Sequence, residues 1–394
     1  MHILVTGGAG FIGSHTTDAL LERGHRVRIL DNLQKTTHPR GMPGYINPKA
    51  EFVMGDVRDR STWQKALKDI DAIYHFAAYQ DYLTDFSTFF HVNTVSTALL
   101  YEILINNRMG SKIRKVIVAA SQAVMGEGRY LCPVCFEKDK NFLYPQIRLD
   151  DQLSRGDWNH RCPKCNTVLK WMPSDESVIS PCNPYAISKY SQEQIALQLG
   201  NRYRIPSTVM RYSIVQGARQ SFYNAYSGAL RIFSLSLLLG RQPTIFEDGK
   251  QIRDFVNIKD VVKANLMVLE NSDADYQVFN VGGGKAWTVM DFYSTLQQIV
   301  GRQEEPIMSG YYRYGDTRHI FSDIKKLNAL GWEPIHGIDE SIKDYWEYIN
   351  GQQDVGEILE YAEKHMKKLQ VIRKIRSYDS SETVLGRSGP VGQL

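Results

Sequence analysis

The stretch Asn183-Pro184-Tyr185-Ala186-Ile187-Ser188-Lys189 places a tyrosine four residues before a lysine. On a helix, positions i and i+4 share a face. A phenol with a pKa of about 10 is a poor base at neutral pH. A neighbouring ammonium group favours the phenolate and lowers that pKa. A pair placed this way can take a proton from a hydroxyl while hydride leaves the same carbon. The spacing alone is a weak signal and is usually no more than a solvated helix face, so its meaning depends on the elements around it.

The start of the chain supplies a partner for a hydride. Residues 2–6 predict a strand that runs into Gly7-Gly8-Ala9-Gly10-Phe11-Ile12-Gly13. A helical pattern follows through Leu20-Leu21 and stops at Gly24. A second strand, Arg26 to Leu30, ends at Asp31 and Asn32. Strand, glycine run, helix, strand and closing acid together form the fingerprint of a dinucleotide site. Gly7, Gly10 and Gly13 permit a tight turn and close approach of a pyrophosphate to the helix N-terminus, beside Phe11 and Ile12. Asp31 can accept hydrogen bonds from the adenosine ribose hydroxyls and would repel a 2′-phosphate. No arginine follows it at 32, which argues for NAD over NADP.

Further strands are expected at Glu51 to Met54, ending in Gly55-Asp56-Val57, and at Asp71 to Phe76, ending in Ala77-Ala78. Strand ends on one edge of a parallel sheet face the cofactor, so Asp56, Val57, Ala77 and Ala78 are candidates for its walls. Phe86 to Asn107 reads as one long helix carrying Asn93. Ile113 to Ala120 is an apolar run, as expected for a strand buried on both faces, and it ends at Ser121. After the helix of Tyr185, strands are expected at Ser207 to Arg211 and Tyr276 to Val281. Helices are expected at about Tyr223 to Leu239, Asp260 to Glu270, Thr288 to Val300 with Thr288 as N-cap, Asp323 to Leu330, and Asp339 to about Arg376. Residues 377–394 have a composition expected of disorder.

Residues 127–176 break the rhythm. They contain Cys132-Pro-Val-Cys135 and Cys162-Pro-Lys-Cys165. Two such knuckles match the spacing of a structural zinc site with four thiolates, and iron would accept the same set. Four protein ligands leave no open position for chemistry, so the metal reads as a staple for an inserted lobe. His160 beside the second knuckle is not needed as a ligand. The lobe mixes Lys138, Lys140, Arg148, Arg155, Arg161 and Lys164 with Glu137, Asp139, Asp150, Asp151 and Asp157, so it has no basic patch for nucleic acid.

The composition is that of a large globular protein: 394 residues, 43% hydrophobic, 23% charged and a net charge of +4. That charge argues against nucleic acid or an acidic membrane as partner, and the C-terminal basic run from Lys364 to Arg376 reads as a solvated face. No signal peptide pattern opens the chain. The apolar run Ala229 to Leu239 is too short to span a bilayer and carries Arg231. Five cysteines, four of them in knuckles, do not suggest a disulfide framework. A reduced, cytoplasmic protein is expected.

With these motifs in place, the chain resembles the extended short-chain dehydrogenase/reductase family, and within it the nucleotide-sugar epimerases and dehydratases. The resemblance spans about residues 2–350, interrupted by the cysteine lobe. It rests on T-G-G-A-G-F-I-G at 6–13, D-N at 31–32, G-D-V at 55–57, H-F-A-A at 75–78, A-A-S at 119–121, Y-x-x-x-K at 185–189 and R-D-F-V at 253–256. Tyr185 lies 59 positions after Gly126. Family members place far fewer residues there, so the lobe reads as an insertion beside the active site.

The resemblance implies roles. Ser121, Tyr185 and Lys189 would form the catalytic triad: Ser121 on the reacting sugar oxygen, Tyr185 as base and later acid, Lys189 on the nicotinamide ribose. Asn93 matches a family asparagine near the cofactor, with Ser96 in place of a glycine. Arg253 and Arg313 match arginines that grip the diphosphate of a nucleotide sugar, a task suited to a guanidinium fork. Gln122 and Asn224 fall at substrate positions. The fold implied is α/β, a Rossmann-type doubly wound parallel sheet with a smaller C-terminal substrate lobe and an inserted zinc-ribbon-like lobe. Its parts would be a cofactor region (1–126), the four-cysteine lobe (127–176), a Rossmann segment with the catalytic helix (177–212), a mainly substrate-binding region (213–350) and a C-terminal helix and tail (351–394). A homodimer through the helices at about 86–107 and 184–203 is also implied.

The residues after Ser121 help choose a reaction. Dehydratases of the family place carboxylates directly after or close to this position; here the run is Gln122-Ala123-Val124-Met125-Gly126. A C4 epimerase needs only Tyr185 and a retained NAD, and that is the leading expectation. A 4,6-dehydratase, 2-epimerase or dehydrogenase on the same scaffold is the alternative. From another class, an NAD sensor or a nucleic-acid-binding protein using the zinc lobe stays open. Two departures bear on the sugar and its pose: Ile214 stands where the family has an asparagine, and Met125 where it has a tyrosine.

Overall fold

The computed structural model describes residues 1–81, 84–221, 223, 228–352 and 372–376. Its strands, in chain order, are β1 (His2–Thr6), β2 (Arg26–Asp31), β3 (Glu51–Met54), β4 (Ala72–His75), β5 (Lys115–Ser121), β6 (Arg129–Leu131), β7 (Lys170–Met172), β8 (Ser207–Tyr212), β9 (Ile214–Gln216), β10 (Ile252–Asn257), β11 (Gln277–Val281), β12 (Ala286–Thr288), β13 (Tyr311–Arg313) and β14 (Ile372–Lys374). Seven of them form one sheet in the order β11-β8-β5-β4-β1-β2-β3. Every pairing in it is parallel. The central order 3-2-1-4-5 reverses direction between β1 and β4. In a doubly wound sheet, ligands bind beyond the strand C-termini at such a switch point.

The central strands are largely apolar because both faces are covered. Ile3, Val5, Tyr74, Ile117 and Met210 pack with the helix Ile258–Glu270 on one side. Leu4, Ile73, Val116, Val118 and Val209 pack on the other with Leu100, Tyr101 and Leu104. The stretch Phe86–Asn106 is long and apolar enough to cross a membrane by length and composition, yet it contributes those buried residues to the core. It is not one regular helix. Phe86–Phe89 and Ser96–Asn106 are α-helical, and Phe90–Val95 between them is a π turn.

The second lobe is built on the three-stranded sheet β12-β10-β9. Its core joins Phe233 and Leu237 of the helix Ala229–Leu238, Phe292 and Leu296 of Val289–Val300, and Ile342 and Tyr345 of Ile338–Asn350. Thr288 caps Val289–Val300 as expected, accepting from the Asp291 amide at 2.9 Å. The helix expected at Asp323 to Leu330 is shorter, Lys325–Asn328.

The C-terminal expectation needs correction. The helix from Ile338 ends at Asn350, and Ile372–Lys374 is a strand paired antiparallel with β13. The Arg373 amide region faces Tyr312 in that ladder, and Arg373 pairs with Asp150 at 2.7 Å. Residues 353–371, including Lys364, Lys367 and Lys368, and the tail 377–394 lie outside the described residues.

The inserted region forms its own small unit. β6 pairs antiparallel with β7, and Tyr130, Cys132, Cys162 and Leu169 make its core.

Candidate active site

The helix Pro184–Tyr203 carries the tyrosine and lysine. Asn183 caps it, its side chain accepting from the Ala186 amide at 2.8 Å, and Pro184 occupies the first turn, where a missing N–H costs nothing. A buried two-point ion pair ties the helix to the sheet: Arg211 of β8 donates to both carboxylate oxygens of Glu193 at 2.8 and 2.7 Å. Ser121 ends β5 beside β8. Ser121, Tyr185 and Lys189 therefore come from two adjoining elements, and all three line one cavity of about 540 Å³.

Lys189 is 1% exposed. Its ammonium donates to the Ala119 carbonyl at 2.8 Å and to Gln192 Oε1 at 2.9 Å. Neither acceptor is charged, and burial pushes its pKa down to about 7. Its charge is therefore poised to respond to whatever binds above it. Gln122 also lines the cavity, and its buried Oε1 has no protein donor. An orphaned buried acceptor at a cavity wall suits a ligand hydroxyl.

The cavity continues toward the switch point. Gly7, Gly10, Phe11, Ile12 and Gly13 line it. A second cavity of about 220 Å³ shares Gly7, Gly10 and Ala78 and adds Asp31, Asn32, Asp56, Val57 and Ala77. Gly7 has φ +68°, and a Cβ there would sit 2.7 Å from the Ala77 nitrogen. A Cβ on Gly13 would sit 2.2 Å from the Gly7 oxygen. The loop thus keeps its backbone bare where a pyrophosphate would lie. Asp31 accepts from the amides of Ala9 at 3.0 Å and Leu33 at 2.9 Å, which ties the end of β2 to the glycine loop. Burial holds its pKa above the usual carboxylate value against those hydrogen bonds. Asn32 donates to Asp56 at 3.0 Å. Burial raises the Asp56 pKa, but hydrogen bonds from Arg58 and Asn32 outweigh it and leave the carboxyl below its usual value. These walls fit a dinucleotide with free ribose hydroxyls.

Asn93 differs from its expected place. It is fully buried and lines neither cavity. Its amide accepts from Tyr79 N at 2.8 Å and donates to Tyr79 O at 3.1 Å and Ser188 Oγ at 2.9 Å. It links the loop after β4 to the helix Pro184–Tyr203, and the π turn aims it there. Cys182 is exposed and lines the large cavity.

Arg253 of β10 and Arg313 of β13 line the same cavity, with Asp316 between them. Asp316 is 2.8 Å from Arg313 and 4.0 Å from Arg253. Arg313 also lies over the Phe246 ring at 4.9 Å. Burial lowers the Arg253 pKa; its Nη1 donates to the carbonyls of Ile252 and Arg318. Sequence reasoning missed Arg219, which lines the cavity, pairs with Asp18 at 2.7 Å and lies over the Tyr45 ring. Asn224 lies outside the described residues.

The ligand atoms of Cys132, Cys135, Cys162 and Cys165 all fall within 4.8 Å of one another. Sulfur–sulfur distances of 3.4, 3.6 and 3.9 Å occur within the set. A tetrahedral zinc with bonds of about 2.3 Å spaces its sulfurs by roughly 3.8 Å, so the four thiols fit that ion. His160 stands apart from them, 3.0 Å from Glu127.

Comparison with known proteins gives a consistent picture. The sequence profile of the NAD dependent epimerase/dehydratase family matches residues 3–146 and 167–282; the unmatched gap falls within the cysteine lobe. A Methanocaldococcus jannaschii protein provisionally assigned as a UDP-glucose 4-epimerase is 35% identical over 86% of this chain and 96% of its own length. The dTDP-L-rhamnose 4-epimerase of Burkholderia thailandensis is 30% identical over 89% and 96%. Among solved structures, the Thermotoga maritima UDP-glucose 4-epimerase with UDP-glucose superposes with a TM-score of 0.71 at 30% identity, covering 89% of this chain and 99% of that one. The Bacillus cereus UDP-glucuronic acid 4-epimerase with NAD gives 0.70 at 26% identity over the same shares.

Proposed function

Because the chain belongs to the NAD dependent epimerase/dehydratase family, we propose that it is an NAD-dependent nucleotide-sugar epimerase that inverts C4 through a transient 4-keto sugar. The observation that carries this reading is the single cavity joining Ser121, Tyr185 and Lys189 to the glycine loop and to Arg253 and Arg313. NAD+, held by the glycine loop and Asp31, would supply the acceptor for the C4 hydride and the donor that returns it to the opposite face. Tyr185 accepts the C4 hydroxyl proton and gives it back. Ser121 holds the reacting oxygen, and Gln122 offers its orphaned Oε1 to a sugar hydroxyl. Lys189 contributes positive charge beneath the phenol and a donor to the nicotinamide ribose. Arg253 and Arg313 hold the diphosphate, drawing on charge that Asp316 otherwise neutralises. Asp31 takes the adenosine ribose.

Dehydration at C5 and C6 needs an acid and a base in addition to the phenol. Among the described residues lining the large cavity, Asp316 is the only carboxylate, and it is paired with Arg313. Gln122 cannot titrate. This favours epimerisation over the 4,6-dehydratase reading. Zn²⁺ held by the four cysteines is a staple for the lobe in this account. A homodimer through the helices at 86–106 and 184–203 belongs to the same reading, supported by the exposed apolar side chains of Phe86, Val95, Ile187 and Tyr203 on them; light scattering at micromolar concentration tests it.

The function is tested by incubating purified protein, with no added cofactor, with UDP-, dTDP-, GDP- and CDP-sugars and reading products by NMR. A C4 epimer supports the proposal. A 4-keto-6-deoxy product would make it a dehydratase, and no change over the panel with NAD present in the protein would remove the epimerase reading for these sugars.

A further inference from the structure

Arg148 belongs to the inserted lobe, is buried to 1% side-chain exposure, and has no place in the chemistry above. Its guanidinium meets three separate segments. It makes a two-point ion pair with Glu247, Nη1 to Oε2 and Nη2 to Oε1, both at 2.9 Å. Nη2 also donates to the Asp316 carbonyl at 2.7 Å, and Nη1 to the Trp158 carbonyl at 2.9 Å. Glu247 and Asp316 sit on the two loops that supply Phe246, Arg313 and Asp316 to the cavity wall.

The same junction is tied a second time. Arg318, 1% exposed, pairs with Glu247 at 2.9 Å and Asp248 at 2.6 Å. Its Nε donates to Asn159 of the lobe at 3.0 Å, and its amide to Glu127 at 2.8 Å. Its carbonyl accepts from Arg253 at 3.2 Å. Glu247 holds a positive φ of 56°, a backbone state that costs a non-glycine residue energy unless the surroundings impose it. Arg148 Nε, 4.0 Å from Glu127, has no hydrogen-bond partner among the described residues, so the guanidinium is held by the four bonds of Nη1 and Nη2.

We propose that Arg148 is a positioning residue for the substrate diphosphate: through it the cysteine lobe holds the loops of Phe246 and Arg313–Asp316 against the cavity. This rests on the epimerase reading given above. The lobe is then part of the substrate site rather than a remote appendage. Its effect falls on substrate affinity, because the hydrogen bonds and ion pairs of Arg148 go to Glu247, Asp316, Trp158 and Glu127. Only a planar fork can serve Glu247 and Asp316 at once; a lysine ammonium keeps the charge but loses that geometry.

The test uses the NAD-loaded full chain with Arg148→Met and Arg148→Lys. UDP and dTDP are titrated by calorimetry, kcat and KM are measured on a sugar that the wild type turns over, and NAD content and melting temperature are recorded. For Arg148→Met the expected result is a rise in KM and nucleotide Kd of about tenfold or more, the size a loop misplaced by a fraction of an ångström can produce. The expected kcat stays within about threefold and NAD content is unchanged. Arg148→Lys, which keeps the buried charges balanced, is expected to show a smaller rise in the same quantities and decides the matter if the methionine variant does not fold. A KM and Kd within twofold of wild type in a folded variant, or a fall in kcat at constant KM, would overturn the proposal. Wild-type protein that binds neither nucleotide and turns over no sugar would instead remove the epimerase reading beneath it.

Discussion

Gly13→Ala tests whether the glycine loop is built for a dinucleotide. The added Cβ would lie 2.2 Å from the Gly7 oxygen and 2.8 Å from Gly8 Cα. Both are backbone atoms, so no side chain can swing aside. Restoring ordinary contact requires a separation of roughly 1 Å between the helix start and the loop, since close-packed interiors have no slack. That movement acts on two bonds that shape the loop: Gly10 N to Gly7 O at 3.0 Å and Ala9 N to Asp31 at 3.0 Å. At about 1 kcal/mol each, their loss weakens the cofactor site by about 2 kcal/mol, or about 30-fold in NAD affinity. The assay is NAD content of the purified protein by chromatography after denaturation, followed by calorimetric titration of stripped protein with NAD+. Gly44→Ala is the control, because a Cβ there meets nothing within 4 Å. A Gly13→Ala protein carrying a full complement of NAD, with Kd within threefold of wild type, would refute the reasoning.

Four further outcomes are expected. Tyr185→Phe removes the proton acceptor and lowers kcat by roughly 10²–10⁴-fold with NAD still bound, as chromatography of the released cofactor shows. Arg211→Met leaves Glu193 buried without its partner and costs about 3–5 kcal/mol in urea unfolding. Replacing Cys132 and Cys162 by serine removes the bound metal by elemental analysis and lowers the melting temperature; a metal-free, equally stable and fully active double variant would contradict the staple. His75 and His319 have pKa values held down to about 3, chiefly by burial. The unfolded chain takes up these protons near pH 6.5 and the folded chain does not, so stability is full above that pH and declines as pH falls from 6.5 toward 3. The slope is about 1.4 kcal/mol per pH unit for each group, and His75→Asn should reduce it; urea midpoints at pH 7.5 and 5 measure it.

The first half of the fold was legible because its signals are local. Period, glycine punctuation and closing acids place β1, β2 and the helix between them, and the helix implied at about 184–203 is observed at Pro184–Tyr203. Ser121, Tyr185 and Lys189 were singled out by spacing and by resemblance, and the structure brings all three to one cavity. What escaped depends on segments far apart in sequence. Residues 372–374 carry a helix-like pattern, yet they form a strand because β13 offers them an edge. Asn93 sits in a π turn that no periodicity announces, and its three hydrogen bonds turn it away from the cavities. Arg148 and Glu247 are 99 positions apart, so nothing in either neighbourhood shows that they pair. The tight group of four thiols was legible from the two knuckles; the ties between that lobe and the cavity were not.

The central claim is that hydride leaves C4 and returns to the same carbon without meeting solvent. Its most direct test uses a nucleotide sugar deuterated at C4, in ordinary water, with purified protein and no added cofactor, followed by proton NMR. The account predicts a C4 epimer that retains its deuterium fully, with no incorporation from water. An epimer whose C4 carries solvent protium would contradict it, because the carbon would then have been inverted by proton exchange rather than by hydride transfer.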